Sequence, residues 1–116
     1  MAGSHIAIPT ILKIGSGTLG NVGKYLQSSG FKKAVVFFGN GLVEMFGKTV
    51  MDSLSEADIE VLSYCELDTT DIKDIIDLAF TIDAKTQVIL GIGGGKVIDA
   101  GKYAAYLRKL PFIGIE

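Results

Sequence analysis

Gly93, Gly94 and Gly95 stand in a row, Lys96 follows at once, and Asp99 lies about one helical turn further on. Bare backbone N–H groups beside a cation suit the binding of phosphate. Glycine removes the Cβ that would keep a ligand off the main chain, and it allows a turn at positive φ. If a helix opens here, its unpaired N–H groups and its dipole favour an anion. A second cluster, Gly39, Asn40 and Gly41, also follows an apolar run and precedes a helical pattern. Asn40 can hydrogen-bond a ribose or an adenine; equally, it can be a turn residue that tolerates left-handed geometry. Two such clusters in one sheet could hold two ends of a long ligand, for instance a dinucleotide. The plainer alternative is a pair of tight strand–helix turns with no ligand.

Two stricter phosphate motifs fail. A P-loop requires Gly-x-x-x-x-Gly-Lys-Ser/Thr, but position 90 is leucine and Lys96 is followed by Val97. This argues against nucleoside triphosphate hydrolysis. The dinucleotide fingerprint Gly-x-Gly-x-x-Gly fits Gly91 and Gly93 and breaks at Lys96. Glu116 stands about 20 residues on, where an acid that binds ribose is expected, although as a terminal acid it reads more simply as exposed. Asp99 can serve a site or the helix dipole, and Lys102 can be a site lysine or a solvated one. Asp68, Asp71 and Asp74 read as capping and dipole charges at a helix start, not as metal ligands. His5 is the only histidine and lies in "MAGSH", which reads as a tag remnant. Cys65, alone of its kind, reads as a small buried hydrophobe. Tyr103 and Tyr106 read as surface or interface residues.

The elements that must position these residues alternate. Strands are expected at Ile11–Gly15, Lys33–Gly39, Ile59–Cys65, Gln87–Gly93 and Pro111–Ile115. Helical spacing joins Leu19, Val22 and Leu26, with Gly30 as a C-terminal cap. It joins Val43, Phe46, Val50 and Leu54 in a second helix. A third is expected from an N-cap at Thr70 to about Ala84, with Ile72, Ile75, Ile76 and Ala79 inward. A fourth runs from Lys96 to Lys109. Strands that are apolar throughout must be covered on both faces, as in a parallel sheet. The expected fold is a single α/β domain: a Rossmann-like three-layer αβα parallel sheet of about five strands, whose order the sequence does not reveal.

Composition narrows the functions. A chain of 116 residues with 48% apolar content suits one packed domain. No run reaches the roughly 18 apolar residues of a membrane span. A net charge of −2 with scattered Lys and Arg speaks against a nucleic-acid surface. With one cysteine no disulfide can close within the chain, which suits a cytoplasmic location.

The segment "GIGGGKVIDAGKYAAYLRKLPFI" resembles the cofactor-binding part of the iron-containing alcohol dehydrogenase superfamily, in its glycerol dehydrogenase and glycerol-1-phosphate dehydrogenase branch. The shared pattern is Gly-Gly-Gly-x-x-x-Asp-x-x-Lys, here Gly93, Gly94, Gly95, Asp99 and Lys102. "IPTILKIGSGTLGNVGKYL" is similar to that family's opening strand and helix, and "VVFFGNG" to its second nucleotide-contacting loop. The resemblance covers residues 8 to 113. It implies NAD(P) as cofactor, with the diphosphate on Gly93, Gly94, Gly95 and Lys96, Asp99 nearby, and Gly39, Asn40 and Gly41 toward the adenosine part. In the family a helical C-terminal domain brings aspartate and histidine ligands to zinc or iron. This chain offers no such ligands and stops after its last strand. In the family that strand usually continues into Ser, Pro and Thr residues that touch the cofactor; here it ends Gly114, Ile115, Glu116.

These features suggest residues 1–7 as a tag-like leader and residues 8–116 as an NAD(P)-binding domain, a fragment without catalysis of its own. Its other expected partner is a second copy, docking through the face a missing domain would leave exposed. The competing readings are a truncated or engineered α/β building block with no ligand and a flavodoxin-like binder of a mononucleotide.

Overall fold

The computed structural model describes residues 10–12 and 18–116. Of the first expected strand, Lys13 to Gly15 lie outside the described residues, as does the leader. The elements run β1 (Thr10–Leu12), a 3-10 turn (Thr18–Asn21), α1 (Val22–Ser28), β2 (Lys33–Gly39), α2 (Leu42–Glu56) and β3 (Glu60–Leu67). They continue with α3 (Ile72–Ala79), β4 (Val88–Ile92), α4 (Gly95–Arg108) and β5 (Phe112–Ile115). The five strands form one sheet in the order β1-β5-β4-β2-β3, every neighbouring pair parallel.

Alternation along the strands builds two cores. Val36, Phe38, Leu90 and Ile115 face one side and pack with Val22, Leu26, Val50 and Leu54 of α1 and α2. Val35, Phe37, Ile89 and Phe112 face the other and pack with Ile75 and Ala79 of α3 and Val97, Ile98 and Ala104 of α4. The expected αβα layers are thus present, and the interior strands are apolar throughout because both faces are covered. β3 departs from that rule. It is an edge strand paired only with β2, and Tyr64 stays 54% exposed while its ring meets Phe38 edge-on. Cys65, also on β3, is half-buried, and that burial pushes its thiol pKa up.

The helix ends are set by specific bonds. Gly30 adopts φ 87° after α1, where its N–H reaches the Gln27 carbonyl at 3.0 Å and the Phe31 N–H reaches that of Leu26 at 3.1 Å. This is the glycine-closed Schellman end that the sequence suggests. Ser53 of α2 fastens α1: its hydroxyl accepts from the Gly23 N–H at 2.9 Å and donates to the Gly20 carbonyl at 3.0 Å.

α3 differs from expectation at both ends. Its N-cap is Asp71, not Thr70; the Asp71 carboxylate accepts from the Lys73 N–H at 2.9 Å. It stops at Ala79, well short of Ala84, where the Arg108 guanidinium of α4 donates to the carbonyls of Ala79 and Ile82, both at 2.7 Å. Ile72, expected inward, is 60% exposed in the first turn, beside a groove toward Tyr103. No helix among the described residues is long and apolar enough to cross a membrane.

Candidate functional site

Strand order decides where a ligand can enter. β2 and β4 are neighbours, yet α2 leaves β2 toward one face of the sheet and α4 leaves β4 toward the other. The two connections part at this point and leave a crevice at the carboxyl ends of the strands, where open α/β sheets bind ligands. A cleft of about 340 Å³ opens there. Five of the sequence candidates line it: Gly39, Asn40, Gly94, Gly95 and Lys96.

Gly93 and Gly41 shape the loops without lining the cleft. Gly41 opens α2 at φ 79°. Asn40 is therefore not the left-handed turn residue, since its glycine neighbour takes that conformation. Gly93 has φ 141°, and its N–H donates to the Ile115 carbonyl at 3.0 Å. A Cβ on Gly93 would stand 2.8 Å from Val97 Cγ1, 3.1 Å from Leu42 Cδ1 and 3.3 Å from Gly39 Cα. The two glycine loops thus meet almost backbone to backbone.

Gly94 and Gly95 are different. Neither lies at positive φ, and a Cβ on either would meet no protein atom within 4 Å. A side chain would fit at both; Gly94 stands at the N-cap of α4, where glycine is well accommodated, while Gly95 in the first turn gives up helix propensity. What the two glycines provide is backbone open to the cleft.

The helix N-termini around the cleft are not equivalent. Glu66 of β3 accepts from the Val43 N–H at 2.9 Å and so occupies the start of α2. Asp71 occupies the start of α3. The start of α4 receives no side-chain cap among the described residues. Its N–H groups face the cleft with Lys96 beside them, an arrangement that suits a diphosphate.

Asp99 lies off this cleft. It is exposed, 3.9 Å from Lys102, and lines the adjoining groove between α3 and α4 with Ile72, Ile75 and Tyr103; Lys96 borders both spaces. Tyr106 is 77% exposed. Of the acidic cluster, Asp71 caps α3 and Asp74 accepts from the Thr69 hydroxyl at 3.1 Å. Asp68 instead lines the cleft, with Leu42, Leu67 and Val97, residues that sequence reasoning did not assign to the site. Glu116 is exposed at the end of β5, on the far side of β4 from β2, and does not line the cleft. The zinc or iron implied by the resemblance does not fit the described residues, where no three His, Cys, Asp or Glu side chains come together.

Known proteins agree with this architecture. The glycerol dehydrogenase structure from Schizosaccharomyces pombe superposes with a TM-score of 0.80 and 26% identity over 95% of this chain and 28% of its own. The glycerol-1-phosphate dehydrogenase [NAD(P)+] of Sulfolobus acidocaldarius is 30% identical over 112 residues, 95% of this chain and 31% of that protein. The enzyme of the same name from Pyrobaculum islandicum is 28% identical over 106 residues, 91% of this chain and 28% of that protein. This chain thus spans less than a third of the length of these relatives. The family model for iron-containing alcohol dehydrogenases matches residues 13–116. The chain belongs to the iron-containing alcohol dehydrogenase family.

Proposed function

We propose that this domain binds NAD(P) across the cleft between β2 and β4, as the dinucleotide-holding part of a polyol dehydrogenase of the glycerol or glycerol-1-phosphate type. The observation that carries the proposal is the pair Gly94 and Gly95, whose backbone lies open to the cleft at a helix start that receives no side-chain cap among the described residues. The diphosphate lies on the N–H groups of Gly94, Gly95 and Lys96, with the Lys96 ammonium supplying charge. Gly93 holds the turn behind them, Gly39 and Asn40 face the adenosine part, and Gly41 turns the loop that carries them. A nicotinamide dinucleotide gives or takes a hydride when bound. The work of these residues is to hold and orient it, and substrate chemistry belongs to groups outside this set. Asp99, off the cleft but beside Lys96, borders the path by which a second end of the ligand would leave.

The test is calorimetric titration with NAD and NADP. We expect binding in the micromolar to millimolar range, abolished in Gly94→Asp with the fold intact by circular dichroism. The new side chain would fill the cleft and set a negative charge against the diphosphate. No binding by the well-folded wild type, or undiminished binding by the variant, contradicts the proposal.

A further inference from the structure

We infer that Asp68 is the specificity-determining residue of this cleft, accepting hydrogen bonds from ribose hydroxyls and setting a preference for NAD over NADP. The inference rests on the dinucleotide reading above and deepens it. Three strand ends follow one another across the cleft, β4, β2 and β3. Neighbouring strands are about 4.8 Å apart, so the end of β3 lies roughly 10 Å from the glycine loop after β4. A diphosphate on that loop therefore puts the adjoining ribose over β2 and toward β3, where Asp68 follows Leu67.

The chemistry selects Asp68 among its neighbours. Glu66 is committed to the Val43 N–H, Asp71 to the Lys73 N–H, and Asp74 to the Thr69 hydroxyl. The Asp68 side chain makes no hydrogen bond to another described residue, and it is the one acidic residue among those lining the cleft. A carboxylate only accepts hydrogen bonds. It suits the two hydroxyls of an unmodified ribose and repels the phosphate that replaces one of them in NADP. In related folds an acid does this work from the strand after the glycine turn. Here that strand is β5, on the wrong side of β4, and its Glu116 does not reach the cleft.

The experiment compares NAD and NADP by calorimetry on wild type, Asp68→Asn and Asp68→Ala. Asp68 is exposed, so both variants should fold. Wild type is expected to prefer NAD. Loss of the charged acceptor should weaken NAD about tenfold and tighten NADP, so that the preference shrinks or inverts. If wild type binds both dinucleotides and neither variant alters their ratio, Asp68 does not read the ribose and the cleft assignment survives. If wild type binds neither, the dinucleotide reading and the role of Asp68 both fall.

Discussion

Gly93 and Gly94 are adjacent and have opposite reasons to be glycine. Gly93 is held by φ 141° and by Val97 and Leu42, so a methyl group there meets both backbone strain and a clash. Gly93→Ala is expected to cost about 2 kcal/mol or more, read as a lower midpoint in urea. The alanine variant at Gly94 should cost no more than about 1 kcal/mol, since its methyl group meets no neighbour and only the preference for glycine at an N-cap is lost. It should nevertheless bind dinucleotide more weakly. Equal destabilisation by the two variants would show that both glycines serve the turn alone. The sequence shows three glycines in a row; only the surrounding Cβ distances show that one belongs to the fold and two to the cleft. Asn40 is similar: the positive φ of Gly41 takes the left-handed turn from it and leaves its side chain beside the cleft.

Elements whose causes are local are legible in the chain. Lys33–Gly39 reads as a buried strand because Phe37 and Phe38 can each find a core, one on either face. Gly30 announces the end of α1 for a reason contained in its own backbone. α3 is harder, because part of what holds its end sits on another element. Arg108 takes the carbonyls of Ala79 and Ile82 at the turn where α3 ends, a bond from α4 that helical periodicity along residues 70–84 cannot register. Arg108→Ala should therefore cost about 2 kcal/mol by leaving those carbonyls without their charged donor. It should also speed hydrogen exchange in the last turn of α3 while sparing β2 and β4. Unchanged exchange there would mean that the turn holds α3 without Arg108.

For the molecule as a whole, what could not be read from the chain was the order of the strands, and the site depends on it. The glycine loops were recognisable because each follows an apolar strand and opens a helix. Asp68 and Leu67 were not, since nothing local says that β3 lies beside β2 and so borders the cleft. The same missing order keeps a ribose role for Glu116 open beside the simpler exposed one, and it is the exposed one that the structure shows, since β5 flanks β4 on its other side. Once the five strands are arranged, two helices that diverge from adjacent strands create the crevice; among the described residues Glu66 caps the start of α2 and no side chain caps that of α4. The most direct test of a dinucleotide at that place is a titration of the isotopically labelled chain with NAD, followed through its backbone amide resonances. The account predicts that shifts concentrate at Asn40, Asp68 and Gly94 to Val97 and spare the groove at the opposite end of the sheet formed by Gln27, Lys32 and Asp58. Shifts centred on that opposite groove, or no shifts at all in a folded chain, would contradict it.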